Sequence, residues 1–250
     1  MLRSLKGIMG YRIAAADGEL GKVADFYFDD ATWHVRYVVA AAGTWLSDRQ
    51  VLISPLSVGQ PDHDHRTLPV MLTMRQVADS PPADSNLPVS RQHEIRLASY
   101  YNWAPYWEMG GVPIAGVGAA GIPDAAVERV DRPGDSHLRS VQAVTTYSIQ
   151  AEDKAIGHVV DFVAQTEGWR IRYMVAATRD FLPGKKVLVA PEWLTKVDWA
   201  GRVVHVNLTS EQLMGCEAFD PSKPVNREVE TRLYDYHGRP KYWESEKGGP

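Results

Sequence analysis

Asp62-His63-Asp64-His65 is the one run in this chain that concentrates metal-ligand chemistry. Imidazole nitrogens with carboxylate oxygens suit a divalent ion. All four residues fall in a predicted hairpin tip between strands at 56–60 and 66–72, where neighbouring side chains splay outward. A solvated turn is therefore the expected reading and metal binding the weak alternative. Cys216 is the single cysteine, which excludes an internal disulfide and a cysteine-based zinc site. Its predicted place at a helix end points to a packed side chain rather than a nucleophile. Ser54 and Ser57 have no base at an activating spacing, and nucleophile motifs, phosphate-cradling glycine loops and an H-E-x-x-H helix do not occur. No catalytic residue and no cofactor is expected, and a metal-dependent enzyme is the least favoured function.

Aromatic residues offer a different chemistry, that of recognition. Tyr100, Tyr101, Trp103, Tyr106 and Trp107 crowd one stretch, and Tyr236, Tyr242 and Trp243 crowd a second. Large amphipathic rings of this kind anchor interfaces or complete cores. Two outcomes are open: each group packs on its own domain, or the two groups bridge the two halves of the molecule.

The elements that position these residues come in duplicate. Trp33-His34-Val35-Arg36-Tyr37-Val38-Val39-Ala40-Ala41 recurs as Trp169-Arg170-Ile171-Arg172-Tyr173-Met174-Val175-Ala176-Ala177. At one constant offset, about 14 of about 35 positions over 21–55 are identical, which marks a domain duplication rather than a short-period solenoid. In the first copy a strand at 8–14, an Asp17-Gly18 turn and a strand at 20–28 precede a polar loop at 29–32. If Phe28 faces Trp33 across that loop, Asp25 lies opposite Arg36, and Asp161 likewise opposite Arg172. An ion pair worth about 0.2–1 kcal/mol to the register is predicted in each copy. Short strands at 51–53 and 187–189 end at Pro55 and Pro191. Thr73 with Gln76, and Thr209 with Gln212, are capping boxes that start short helices. Ser90 and Asn226 cap two further helices, along which Glu94, Leu97 and Tyr100 recur as Glu230, Leu233 and Tyr236.

These residues carry a family resemblance. Gly18-Glu19-Leu20-Gly21-Lys22-Val23-Ala24-Asp25-Phe26, Arg36-Tyr37-Val38-Val39, Val51-Leu52-Ile53-Ser54-Pro55-Leu56 and Leu72-Thr73-Met74-Arg75-Gln76-Val77 resemble a PRC-barrel domain. So do Ile156-Gly157-His158-Val159-Val160-Asp161-Phe162, the stretch from Val187 to Pro191, and Leu208-Thr209-Ser210-Glu211-Gln212-Leu213. The resemblance implies a mainly β protein of two small barrels of about six strands each, each with a short helix and an aromatic tail, related by a pseudo-two-fold axis. The division is 1–80 for the first barrel, 81–109 for its helical tail, 110–138 for a Gly/Pro/Ala linker, 139–217 for the second barrel and 218–250 for its tail. The family's barrels occur in the cytoplasmic part of the photosynthetic reaction-centre H subunit and in a ribosome maturation factor. Both are interaction modules, but the membrane helix of the first and the extra β domain of the second have no counterpart in this sequence.

Composition bounds the function. The net charge is −4, divided evenly at roughly −2 per half, so neither half is a basic nucleic-acid surface. The opening residues lack the apolar run of a signal peptide, and no stretch of about 18 apolar residues occurs. The expectation is a cytoplasmic, non-catalytic adaptor or assembly factor with an unknown protein partner, no nucleic acid and no transmembrane segment. It would be an intramolecular pseudo-dimer, monomeric or weakly homodimeric. A ribosome- or RNA-associated factor and a membrane-peripheral regulator are the alternatives.

Overall fold

The computed structural model describes residues 1–43, 46, 49–81, 89–107, 137–178 and 184–245. Almost all of the expected linker at 110–138, and all but Pro81 of the Pro/Ser/Asp-rich spacer at 81–87, lie outside them. In chain order the elements are β1 (Leu2–Ser4), α1 (Leu5–Ile8), β2 (Arg12–Ala14), β3 (Glu19–Asp29), β4 (Val35–Ala41), β5 (Gln50–Ile53), β6 (Thr67–Pro69), α2 (Met74–Ala78) and α3 (Arg91–Tyr101). The second copy supplies β7 (Leu138–Ser140), α4 (Val141–Val144), β8 (Ser148–Gln150), β9 (Ala155–Gln165), β10 (Arg170–Thr178), β11 (Lys186–Val189), β12 (Leu194–Asp198), β13 (Val203–Val206), α5 (Ser210–Gly215), α6 (Arg227–His237) and α7 (Tyr242–Ser245). Both capping boxes are present: Thr73 and Thr209 accept from the backbone amides of Gln76 and Gln212, whose side chains reach back.

The chain divides into two compact units. The first holds 7–142 with 166–170, and the second holds 1–6, 143–165 and 171–250. Each is built on one mixed sheet, so the protein is mainly β with a minority of helix. In the first unit the strand order is β5-β4-β3-β2-β6, with β2 and β6 parallel. In the second it is β11-β10-β9-β8-β13-β12, with β8 and β13 parallel. Among the described residues neither path is closed by a pairing of its end strands. Apolar side chains from the strands fill each core: Ile13, Leu20, Phe26, Phe28 and Ile53 in the first unit, and Ile149, Phe162, Tyr173 and Val189 in the second, are fully buried.

The units depart from a consecutive division at two short segments. β7 pairs with β3, setting Ser140 against Tyr27 and Leu138 against Asp29, so the second copy lends a strand to the first unit. β1 pairs with β9, setting Leu2 against Gln165 and Ser4 against Val163, so the first copy lends a strand to the second unit. The two lent strands carry one sequence, Leu2-Arg3-Ser4 and Leu138-Arg139-Ser140, at the offset of the repeat. Three-residue strands lie below the length at which alternation can be read.

The β3–β4 register differs from the expected one. Asp25 lies opposite Val39, Tyr27 opposite Tyr37 and Phe28 opposite Val35. The register is already displaced by two residues at the loop, the bulge that inserts Arg36 in β4 shifts it by one more, and the one that inserts Ala24 in β3 shifts it back by one. A bulge adds one residue to one strand only, so a register extrapolated from the loop fails beyond it. The loop itself also differs. Trp33 has φ 59° and Trp169 φ 55°, left-handed backbone that is uncommon for a bulky residue. Asp29 holds the turn: its carboxylate accepts from the amides of Ala31 and Thr32 at 3.0 and 2.9 Å, and its carbonyl accepts from Trp33 N at 2.9 Å. The Trp33 ring still reaches Phe28, stacking at 5.3 Å.

Glycine is required where β3 and β9 start. A Cβ on Gly21 would overlap the carbonyl oxygen of Ala41, and one on Gly157 that of Ala177. Only glycine admits so close an approach of two backbones.

Candidate functional site

The predicted ion pairs do not form as drawn. With Arg36 displaced by its bulge, its guanidinium lies 3.7 Å from Asp29, donates to the Thr32 hydroxyl at 3.0 Å and stacks 3.9 Å over the Tyr106 ring. Asp25 instead takes the hydroxyl of Ser140 and the amides of Gln142 at 3.1 Å and Phe26 at 2.8 Å. In the second unit Asp161 accepts from the Ser4 hydroxyl at 2.5 Å and the Lys6 amide at 3.0 Å. Arg172 donates to Gln165 at 2.9 Å and stacks 4.0 Å over Tyr242. Both aspartates are buried, and burial raises their pKa against the opposing pull of serine and amide donors. Their partners belong to the segments that carry the lent strands.

The aromatic tails fold inward around a buried carboxylate. Ser90 caps α3 by accepting from His93 N, and the first turn then places Glu94 inside the first unit with no exposure. Glu94 accepts from the hydroxyls of Tyr37 at 3.2 Å and Tyr106 at 2.6 Å, and meets Arg91 at 3.2 Å. His137 completes the group, 3.3 Å from Glu94 and 2.7 Å from the Tyr106 hydroxyl. The Arg91 guanidinium also stacks 4.4 Å from Trp107.

The second unit repeats the constellation without the histidine, since Met1 stands at the position equivalent to His137. Asn226 caps α6, and Glu230 accepts from Tyr173 and Tyr242, both at 2.7 Å, and meets Arg227 at 3.1 Å. Arg227 stacks 4.1 Å from Trp243. Burial, reinforced by the adjoining carboxylate, raises the Tyr37, Tyr106 and Tyr173 hydroxyls well above the ordinary phenol value and pushes Tyr242 up to about 12. These phenols stay protonated and donate to the carboxylate. The arrangement therefore fastens a helix and its tail onto the sheet through hydrogen bonds to a charge, which are about twice as strong as neutral ones.

The other tail residues differ in exposure. Trp103 is buried, donates to Ser57 at 2.9 Å and stacks 4.2 Å from Tyr101. In the second copy the position of Ser57 is held by Trp193, which packs on Tyr234 and His237 at 5.2 and 5.0 Å. An indole thus stands near the tail helix of each unit from a different point in the sequence. Tyr100 and Tyr236 remain outside, 40% and 50% exposed, although Tyr100 donates to the Gln76 carbonyl at 2.8 Å.

At the hairpin tip, His65 and Asp62 pair at 2.8 Å and are exposed, whereas His63 turns to the Tyr11 hydroxyl at 2.7 Å. Asp62 to His65 therefore make a turn with an Asx-type bond to the His65 amide at 3.0 Å. Among the described residues no group of three or more histidine, cysteine, aspartate or glutamate side chains is arranged to hold a metal. Cys216 is buried against the Leu213 carbonyl, and burial pushes its thiol up to about 11. Ser54 caps the turn at Pro55–Ser57 by accepting from Leu56 N.

Glu94, Arg91, His137 and their counterparts Glu230 and Arg227 did not stand out in the sequence as a group. A carboxylate kept at one offset together with two tyrosines and an arginine, in helices otherwise free to vary their polar residues, was the available signal. No family model matches the chain, and no curated protein matches it. Among the described residues no helix is long and apolar enough to cross a membrane.

Proposed function

We propose that the protein is a non-catalytic interaction module, an adaptor or assembly factor built from two PRC-type barrels. The observation that carries this reading is the use made of its reactive groups. Glu94, Glu230, the tyrosines that donate to them and the single thiol are engaged by contacts internal to each unit. Glu94 and Glu230 each take two tyrosine hydroxyls and an arginine. The Cys216 thiol, raised to about 11 by burial, is protonated at neutral pH. Function in such a scaffold lies in surfaces grafted onto the fold rather than in the fold itself. A cytoplasmic location accords with a chain of net charge −4 with one cysteine.

The test is affinity capture with the full chain from native extract, followed by reconstitution of the captured complex from purified components. A stoichiometric complex that reforms from two pure proteins supports the reading. Turnover by the purified chain in broad hydrolase and metal-supplemented assays, lost on substitution of a single side chain, would overturn it.

A further inference from the structure

The lent strands are two ligands docked on two equivalent sites, and comparing them shows what each site recognises. In both, an aliphatic residue is buried at the first position, Leu2 at 8% and Leu138 at 7% exposure, and another follows the serine with none, Leu5 and Val141. The serine donates to a buried aspartate in each, Ser4 to Asp161 and Ser140 to Asp25. The amide two residues on, Lys6 or Gln142, donates to the other oxygen of the same carboxylate. The arginine between them is not a shared determinant. Arg139 pairs with Asp30 at 2.8 Å, but Thr166 stands at the corresponding position of the other copy, and Arg3 contacts the Met1 sulfur.

We propose that the β9 edge with Asp161 is a docking site for an extended Leu-x-Ser-aliphatic segment. Besides the chain's own 1–6 it accepts the same segment of a second copy, giving a strand-exchanged homodimer. The inference goes beyond the adaptor reading and does not depend on it. The segment is held by three ladder positions, the carboxylate, a Leu2–Val225 bridge and the burial of Leu2 and Leu5, all within residues 2–6, so one short segment must come free for it to leave. An open cavity of about 100 Å³ runs beside it, lined by Arg3, Ser4, Val163, Phe219 and Lys223, so solvent reaches the docked strand. Every contact the site makes with 1–6 is non-covalent and is remade identically with a segment from another molecule. This is the condition for exchange of an element between protomers.

The experiment mixes two differently tagged preparations of the full chain at rising concentration and counts mixed dimers by native mass spectrometry. A synthetic peptide of residues 1–8 serves as competitor. Mixed dimers should grow with concentration and fall when the peptide is added. Ser4→Ala removes the same bond from the closed monomer and from the exchanged dimer. It should therefore leave the dimer fraction unchanged and speed the appearance of mixed dimers about tenfold, as expected for losing a hydrogen bond to a charged group when the segment must first come free. Asp161→Asn should speed the exchange as well, with circular dichroism checking that the variant folds. If Asp161→Asn does not fold, Ser4→Ala and the peptide decide alone. A chain that stays monomeric and does not bind the peptide overturns the proposal. So does a dimer whose rate of mixing is indifferent to Ser4→Ala and whose amount is indifferent to the peptide.

Discussion

Glu94 and Glu230 show how a buried charge is tolerated. A carboxylate removed from water is costly unless hydrogen bonds and an opposite charge replace the solvent. Two phenols and an arginine do so in each unit. Removing the charge leaves the arginine facing a neutral group. Glu94→Gln and Glu230→Gln should each lower stability by about 2–4 kcal/mol, measured by urea unfolding. Tyr106→Phe, which deletes the hydroxyl that donates to Glu94 and accepts from Arg91 but keeps the carboxylate and the arginine, should cost about 1–3 kcal/mol in the same assay. His34 has the opposite environment, since burial, then Arg36 and Arg170, lower its pKa from 6.5 to about 4. In the fold the ring stays neutral where the unfolded chain takes up a proton. Stability should therefore be lost as pH falls from about 6.5 to about 4. In His34→Asn this part of the pH dependence should be absent, read as the difference between the two midpoint curves.

At the scale of elements, β3 and β4 are shaped by their irregularities. Two bulges re-aim Asp25 toward the lent strand and Arg36 toward Tyr106, so each charge meets a partner that a regular ladder would deny it. Gly21 and Gly157 let the start of each long strand pass against the carbonyl of its neighbour. Gly21→Ala and Gly157→Ala should each destabilise by more than about 2 kcal/mol, since the obstacle is backbone that cannot rotate away. Thermal unfolding of the two variants checks this. Local signals were legible in the residues: the Thr73/Gln76 and Thr209/Gln212 boxes, the Ser90 and Asn226 caps and the apolar strands each depend on neighbours a few positions away. The bulges were not, because nothing in Ala24 or Arg36 marks an extra residue. The aromatic part of the candidate site and the recurrence of Glu94 as Glu230 were legible, whereas the meeting of Glu94 with His137 was not, because it depends on packing between distant segments.

At the scale of the whole molecule, each unit needs both copies to be complete. The predicted signature is crosswise. Ser4→Ala should speed amide hydrogen exchange around Val163 to Gln165 while sparing Tyr27 to Asp29, and Ser140→Ala should do the reverse. Hydrogen exchange followed by mass spectrometry resolves the two regions. Acceleration confined to the copy that carries the substitution would contradict the pairing of β1 with β9 and of β7 with β3.

The lent strands also bear on how the protein is made. Ser4 and its aspartate are 157 residues apart, and Asp25 and its serine are 115 apart. At about 5–20 residues per second, the segment holding Ser4 waits roughly 8–30 seconds for its aspartate to be synthesised. During translation β3 waits as well, with the row of amides and carbonyls that β7 will cover open to any other strand. The nascent first copy is thus the aggregation-prone stage, and slowing initiation so that fewer ribosomes share a message should raise the soluble yield.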